Sequence, residues 1–142
     1  MGEVEEKNAL RERIRKERKE LNESDCIRED LVIARNLLRV VKIVNPGLVL
    51  CYMSLPGEPD TCPFIMRLWS SGMKTAVPLC VGDNELRFYK IEDFDCLQPG
   101  KYGILEPIAK LCSEVRVFEN SICIVPGLSY DREGNRLGNG AG

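Results

Sequence analysis

The sequence predicts an α/β fold: a single three-layer domain with a mostly parallel sheet and an N-terminal helical pair. Residues 48–53 (LVLCYM) form a short continuous apolar run, which is typical of a strand covered on both faces and hence of a parallel sheet. A strand, a helix and a second strand then succeed one another between residues 48 and 78, as in a βαβ unit. A chain of 142 residues is long enough for one such core but not for two.

The helical pair is predicted from the spacing of apolar residues. Residues 5–21 predict a first helix, on which Leu10, Ile14 and Leu21 share an apolar stripe within a densely charged surface. A second helix follows and is stopped by the turn-forming residues 45–47 (Asn-Pro-Gly). Its buried face is predicted from residues spaced three or four apart: Ile27, Leu31, Ala34, Leu38 and Val41.

A third helix and three more strands complete the predicted domain. Asp60 or Thr61 caps this helix, and Pro63 lies in its first turn. The region 93–107 contains two prolines and two glycines, all from residue 99 onward, and is predicted to be irregular. The remaining strands are Lys74–Pro78, the more exposed Glu85–Ile91 and the buried Ser121–Val125.

The composition excludes several classes of function. The chain has no histidine, which rules out Ser-His-Asp and Cys-His catalysis and histidine metal ligands. Its net charge of −2 argues against nucleic-acid and membrane partners. Its seven cysteines include no C-x-x-C pair, so we expect buried free thiols in a cytoplasmic protein. The residue types that remain suit phosphoryl transfer, which depends on positioning and charge stabilisation.

The last seventeen residues, 126–142 (PGLSYDREGNRLGNGAG), predict a glycine-rich phosphate-binding loop at the end of a strand. Closely spaced glycines let backbone N–H groups approach a phosphate, and Arg136 offers a bidentate fork to its oxygens. No Gly-Lys-[Ser/Thr] follows, so this is not a Walker A loop. A frayed glycine-rich tail accounts for the same glycines, and that alternative stays open at this point.

Two further motifs carry polar groups that suit ligand binding. Residues 52–61 (YMSLPGEPDT) follow the first strand, and Glu58 is held there between Gly57 and Pro59. An ordinary turn with a solvated glutamate is the alternative. Lys7 and Arg11 are four residues apart on one helix face and together suit a phosphate chain, although such a pair is also common on protein surfaces.

Four motifs in this order resemble the 5-formyltetrahydrofolate cyclo-ligase family, also called 5,10-methenyltetrahydrofolate synthetases. They are KNALR (7–11), YMSLPGEPDT (52–61), YGILEP (102–107) and VPGLSYDREGNRLGNGAG (125–142). The resemblance implies an ATP-dependent ligase that uses Mg²⁺. It would cyclise 5-formyltetrahydrofolate, with or without a polyglutamate tail, to 5,10-methenyltetrahydrofolate, releasing ADP and phosphate.

The resemblance also implies roles for individual residues. Arg136 would act in catalysis, Tyr102 would stack on the folate, and no residue of this chain is assigned as a metal ligand. The residues implied in nucleotide binding are Lys7, Arg11, Arg136, Leu137, Gly138, Asn139, Gly140, Ala141 and Gly142. The residues implied in folate binding are Met53, Glu58, Tyr102, Asn139 and Gly140.

The sequence departs from the family pattern at its end. Ala141 stands where a basic residue is common, and the chain stops at Gly142, where family members continue with Tyr-Tyr-Asp. We therefore expect a C-terminally truncated member. Two functions stay open: ATP-dependent cyclisation, or nucleotide and folate binding by a non-catalytic relative or an inactive truncated form. In either case we expect a cytoplasmic monomer.

Overall fold

Residues 2–140 are described by a computed structural model and form three α-helices and nine short strands. No helix in this range is long and apolar enough to span a membrane. The helices are α1 (Glu3–Lys19), α2 (Glu23–Val44) and α3 (Cys62–Ser70). The strands are β1 (Leu48–Cys51), β2 (Thr75–Cys80), β3 (Leu86–Ile91), β4 (Leu97–Pro99), β5 (Leu105–Pro107), β6 (Ser113–Glu114), β7 (Ser121–Ile124), β8 (Ser129–Tyr130) and β9 (Arg136–Leu137).

Five of these strands form the central sheet, in the order β6-β3-β2-β1-β7. β1 lies at the parallel centre, with β2 on one side and β7 on the other, and Leu48–Cys51 pairs with Ser121–Ile124. β3 pairs antiparallel with β2, and β6 pairs antiparallel with β3. The predicted α/β class and the parallel centre of the sheet are confirmed, as is the succession β1, α3, β2.

The main core lies between one face of this sheet and the helices α2 and α3. Val49 and Cys51 of β1 and Val77 of β2 are fully buried there. α3 contributes a cluster of three buried side chains: Phe64, Ile65 and Leu68. A smaller cluster covers the other face, where Leu48, Leu50 and Ala76 meet Val115. Because β1 is buried on both faces, its continuous apolar sequence is explained.

The predicted buried faces of the first two helices are only partly correct. Leu21 lies beyond the end of α1 and is exposed, and no residue of α1 is buried. On α2, Ala34 and Val41 are buried, but Ile27 and Leu31 are 55% and 47% exposed. The residues of α2 that pack in the core, Ala34, Leu37, Leu38 and Val41, all lie in the second half of this helix.

The prediction of a buried strand at residues 121–125 is wrong, and the expectation of buried free thiols is correct only in part. β7 is an edge strand among the described residues, with Cys123 exposed and its other residues half-buried. All seven cysteines are free, but only Cys51 is buried, and Cys80 is exposed like Cys123. An apolar segment has the same sequence pattern in an edge strand as in a central strand, because the pattern carries no information on which strands pair with it.

Two small hairpins lie where no regular structure is predicted. β4 and β5 pair within the region 93–107. β8 and β9 pair within the glycine-rich terminal segment, so residues 129–137 form a hairpin rather than a continuous loop. Gly134 closes the turn of this hairpin at φ +90°, so its conformation serves the turn.

Candidate active site

An apolar cavity of about 330 Å³ opens at the ends of β1, β2 and β7. Met53, two residues after the end of β1, is almost completely buried and forms part of the cavity wall. This edge is where the strands of an open α/β sheet commonly present their ligands. The lining residues are Tyr52, Met53, Leu55, Glu58, Pro78, Cys80, Leu86, Phe88, Ile104, Glu106, Cys123, Ile124, Val125, Pro126 and Asn139.

The LPGE turn (residues 55–58) holds Glu58 at this cavity. The amide N–H of Leu55 donates to Glu58 Oε1 at 2.8 Å, and the N–H of Glu58 donates to the Leu55 carbonyl at 3.0 Å. Gly57 adopts φ +91°, a conformation that favours glycine. Burial, and then the negative charge of Glu58, raise the pKa of the half-buried Tyr52. The turn therefore gives the cavity a fixed carboxylate.

A second carboxylate in the cavity wall, that of Glu106 in β5, is missing from the set predicted from the sequence. It is only 5% exposed. The amide N–H groups of Cys80 and Lys101 each donate to one of its oxygens at 2.8 Å. A Cβ at Gly100 would lie 1.9 Å from Glu106 Oε1, so glycine is required there. Glu106 thus joins the end of β2 to the loop before β5.

The hairpin that precedes the glycine-rich end is organised around Asp131. Its Oδ1 accepts from the amides of Glu133 and Asn135 at 2.9 and 2.8 Å, and its Oδ2 accepts from Asn135 Nδ2 at 2.7 Å. The hydrogen bonds from Asn135 hold the pKa of this carboxyl below its ordinary value. These contacts assign Asp131 to the turn.

Arginines of α1 attach this helix to the hairpin and to the LPGE turn. Arg11 Nε donates to the Gly138 carbonyl at 2.9 Å, and Arg15 donates to the Asn139 carbonyl at 3.2 Å. Arg18 donates to the carbonyls of Leu128, Gly127 and Gly57 at 2.9, 3.1 and 3.4 Å. Spacings of four and three residues put these three arginines on one helix face. Arg15 and Arg18 were not predicted, although the repeat that begins at Arg11 is a signal for both.

A second, cationic hollow of about 290 Å³ lies between α1 and the LPGE turn. It shares Leu55, Glu58 and Asn139 with the apolar cavity, so the two spaces are adjacent. Its lining residues are Arg15, Arg18, Lys19, Leu55, Pro56, Gly57, Glu58, Leu128 and Asn139.

This arrangement, an apolar cavity with a carboxylate beside a cationic helix face and a glycine-rich segment, suits a ligand with an aromatic ring system and an anionic partner. The amino-acid sequence matches the profile of the 5-formyltetrahydrofolate cyclo-ligase family over residues 3–142. This chain belongs to the 5-formyltetrahydrofolate cyclo-ligase family. It is thus a member of a family of ligases.

Individual cyclo-ligases resemble it over most of its length. It is 24% identical to the 5-formyltetrahydrofolate cyclo-ligase of Haemophilus influenzae, over 98% of this chain and 75% of that protein. It is 27% identical to the Saccharomyces cerevisiae enzyme of the same name, over 96% of this chain and 72% of that one. The structure of 5,10-methenyltetrahydrofolate synthetase from Aquifex aeolicus matches with a TM-score of 0.82 at 28% identity, covering 96% of this chain and 68% of that one.

The structure brings several of the residues implied by the cyclo-ligase resemblance together. Met53, Glu58 and Asn139 line the apolar cavity. The side chain of Arg11 lies against Gly140, where a Cβ would be 3.5 Å from Arg11 Cζ, and it bonds to Gly138. The Leu137 carbonyl accepts from the Leu128 amide at 2.8 Å and so closes the base of the hairpin.

Arg136 lies at the start of β9, exposed, with one guanidinium nitrogen donating to the Pro126 carbonyl at 3.0 Å. A Cβ at Gly138 would be 2.9 Å from this guanidinium, so the missing side chain leaves room for it. In the described residues its remaining donors have no partner and stay available to a ligand.

Lys7 and Tyr102 do not join this group. Lys7 pairs with Glu3 one helical turn away, and this contact lowers the pKa of the Glu3 carboxyl. Tyr102 is 80% exposed in a left-handed conformation at φ +61°, and Lys101 lies over its ring. Ala141 and Gly142, which were also implied in nucleotide binding, lie outside the described residues.

Proposed function

We propose that this chain catalyses the ATP-dependent cyclisation of 5-formyltetrahydrofolate to 5,10-methenyltetrahydrofolate, with release of ADP and phosphate. The observation that carries the proposal is the adjacency of two different environments. A mostly apolar cavity holding Glu58 adjoins a face of α1 and a glycine-rich segment that bear Arg11, Arg15 and Arg136. The first suits a reduced pterin, and the second suits the phosphates of a nucleotide.

The folate side of the reaction is assigned to the apolar cavity. Glu58 accepts one backbone hydrogen bond and has no cationic partner in the described part of the chain. Its remaining lone pairs suit the ring N–H and amino groups of a pterin. Met53 and Asn139 line the same space, so they flank the ring. Tyr102 would reach a bound folate only if its loop turned inward.

The nucleotide side is assigned to Arg11, Arg136 and the glycine-rich segment that includes Gly138 and Gly140. A guanidinium keeps its charge at any working pH and binds phosphate oxygens in a fixed fork. Lys7 lies one turn before Arg11 on the same helix, and its exposed ammonium exchanges readily between Glu3 and a phosphate because a surface ion pair contributes little.

The proposed chemistry needs no histidine. Transfer of the γ-phosphoryl group to the formyl oxygen converts a poor leaving group into a phosphate ester of an imidate. The neighbouring nitrogen of the folate then attacks the formyl carbon, and phosphate leaves. Arg136 would neutralise charge on the phosphoryl group as it transfers, and the two adjacent spaces would hold the reactants in line.

Mg²⁺ fits this scheme as an ion carried by the nucleotide. Among residues 2–140 no three acidic or cysteine side chains cluster as a metal site. Mg²⁺ is commonly bound by phosphate oxygens and water with few protein ligands, so we assign it to the phosphates of the nucleotide. We further propose a cytoplasmic monomer without nucleic-acid or membrane partners, which is supported by the free cysteines and the net charge of −2.

The test is a turnover assay in which the absorbance of the methenyl product is followed with and without ATP and Mg²⁺. We expect product only when both are present. A chain that binds ATP and the folate but forms no product would contradict the proposal.

Glu58→Lys tests the assignment of the folate side. We expect the KM for 5-formyltetrahydrofolate to rise at least tenfold, because a charge-assisted hydrogen bond worth about 1.5–3 kcal/mol is lost. The KM for ATP should change little. Glu119→Lys makes the same charge change at an exposed position outside both spaces and should leave both constants unaltered. An equal rise in the KM for the folate and the KM for ATP would show that Glu58 does not bind the folate specifically.

A further inference from the structure

Two of the seven free cysteines, Cys96 and Cys112, lie side by side at the base of the β4–β5 hairpin. Cys96 directly precedes β4, and its carbonyl accepts from the amide N–H of Ile108, just beyond β5, at 2.8 Å. The short 3₁₀ turn Ala109–Leu111 then returns the chain, so that Cys112 Sγ lies 4.0 Å from the same carbonyl oxygen. The two cysteines are thus neighbours in space although they are 16 positions apart in sequence.

Both thiols can be reached from solvent. Cys96 and Cys112 are half-buried and line a hollow of about 280 Å³. Lys90, Glu92 and Asp93 in the same lining contribute one positive and two negative charges, which leaves a net charge of −1. A hollow of this size and charge admits a small neutral oxidant more readily than a bulky anion such as oxidised glutathione.

Cys112 is the weaker candidate for the first reaction with an oxidant. Burial, and then the hydrogen bond that it shares with the Cys96 thiol, raise the pKa of the Cys112 thiol to about 11. The thiolate is the form of cysteine that attacks an oxidant, so Cys112 is a poor first nucleophile at neutral pH. Cys96, whose Sγ donates to the Asp93 carbonyl at 3.2 Å, is therefore assigned the first attack.

We propose that Cys96 and Cys112 form a reversible disulfide when the protein meets hydrogen peroxide. The Cys96 thiolate attacks one peroxide oxygen and the O–O bond breaks, which gives a sulfenic acid and a hydroxide that takes up the proton lost by Cys96. The Cys112 sulfur then displaces the oxygen of the sulfenic acid, and this oxygen leaves as water with the proton of Cys112. Two thiols are oxidised, and one peroxide is reduced to two molecules of water.

The disulfide fixes a segment that forms part of the cavity wall. It closes the loop 96–112, which contains the β4–β5 hairpin and with it Ile104 and Glu106 of the lining. Glu106 already joins this loop to the end of β2 through the amide of Cys80. A cross-link stabilises a fold mainly by restricting the unfolded chain, so oxidation holds this wall of the candidate active site in its folded arrangement.

The test treats the reduced protein with hydrogen peroxide and maps its cysteines by alkylation and mass spectrometry. We expect a cross-link between Cys96 and Cys112 that forms at a rate independent of protein concentration and that dithiothreitol removes. In Cys112→Ser, dimedone should trap a sulfenic acid on Cys96, because no second thiol is present to displace it. Cys26→Ser removes a half-buried thiol from α2 and is the matched control, which should form the cross-link as the unaltered protein does.

Chemical denaturation tests the effect on the fold. The unfolding equilibrium constant of the oxidised protein should be roughly a hundredfold smaller than that of the reduced protein, as for a closed loop of about 15 residues, and peroxide-treated Cys112→Ser should show no such gain. Three results would overturn the proposal: oxidation only at the exposed Cys80 and Cys123, a sulfenic acid that persists on Cys96 while Cys112 is present, or a cross-link that leaves the stability unchanged or lower.

Discussion

Glu106 illustrates how much a single side chain of the cavity wall holds together. Its carboxylate is buried and accepts hydrogen bonds from the backbone of Cys80 and of Lys101, two segments that are far apart in sequence. Cys80 lines the apolar cavity, and so does Ile104, three residues after Lys101. The side chain therefore fixes the shape of that wall, although it need not touch a ligand to do so.

Glu106→Gln should destabilise the protein by about 1–3 kcal/mol, since an amide nitrogen would face a backbone N–H and leave a buried donor without an acceptor. Chemical denaturation measures this loss. Glu114→Gln is the matched control: its carboxylate pairs with the solvent-accessible side chains of Arg116 and Arg87, and the substitution should cost less than about 1 kcal/mol. Equal losses in the two variants would contradict the role given to Glu106.

Some residues of the site could be predicted from the sequence, and others could not. Glu58 was predicted because it lies in the loop that follows an apolar strand and sits between Gly57 and Pro59, a local pattern. Glu106 was not, because its partners come from β2 and from a hairpin hidden in a region rich in proline and glycine. Contacts between segments that are distant in sequence produce no local periodicity, so they cannot be predicted from the sequence pattern.

At the scale of the element, α1 is unusual in being docked without a buried side chain. Its attachment runs through guanidinium groups that donate to the carbonyls of residues 57, 127, 128, 138 and 139. The helix itself was predicted from its charged amphipathic sequence. Its docking was not, because dense surface charge also predicts an ordinary solvated face.

Arg18→Gln should loosen α1 more than any other single change in this helix, because one guanidinium holds three carbonyls. We expect faster amide hydrogen exchange throughout α1 with little change in the sheet, since local opening costs less than global unfolding. Arg13→Gln, on the opposite face, should leave the exchange of α1 as it is. Unaltered protection in Arg18→Gln would show that other contacts hold the helix.

At the scale of the whole molecule, burial is uneven across the central sheet. One face of the sheet is covered by α2 and α3, the other carries a smaller cluster, and β7 lies at the edge in the described residues. The sequence predicts the class of fold and the parallel centre, because apolar runs and the βαβ succession are local. It does not predict which strands lie at an edge, because that depends on the neighbours each strand finds.

This uneven burial should appear in the reactivity of the cysteines. Cys51 is fully buried, and burial raises the pKa of its thiol to about 12, whereas Cys80 is exposed at the end of β2. At pH 8 we expect iodoacetamide to alkylate Cys51 roughly a thousandfold more slowly than Cys80, because only the thiolate reacts. Mass spectrometry of the native protein follows both sites. Labelling of the two at similar rates would contradict the burial described here, and labelling after denaturation provides the control.

The docking of α1 through backbone carbonyls has a consequence for redesign. An arginine that recognises a peptide oxygen is indifferent to the side chain that this peptide carries. The residue at position 139 can therefore be exchanged to alter ligand preference, with the loss of one long side-chain hydrogen bond to Arg15, while the helix stays in place, provided that the path of the backbone is kept. The arginines cannot be exchanged in this way, because their side chains make the contacts. At this interface, the residues that supply carbonyls therefore tolerate substitution better than the arginines of α1.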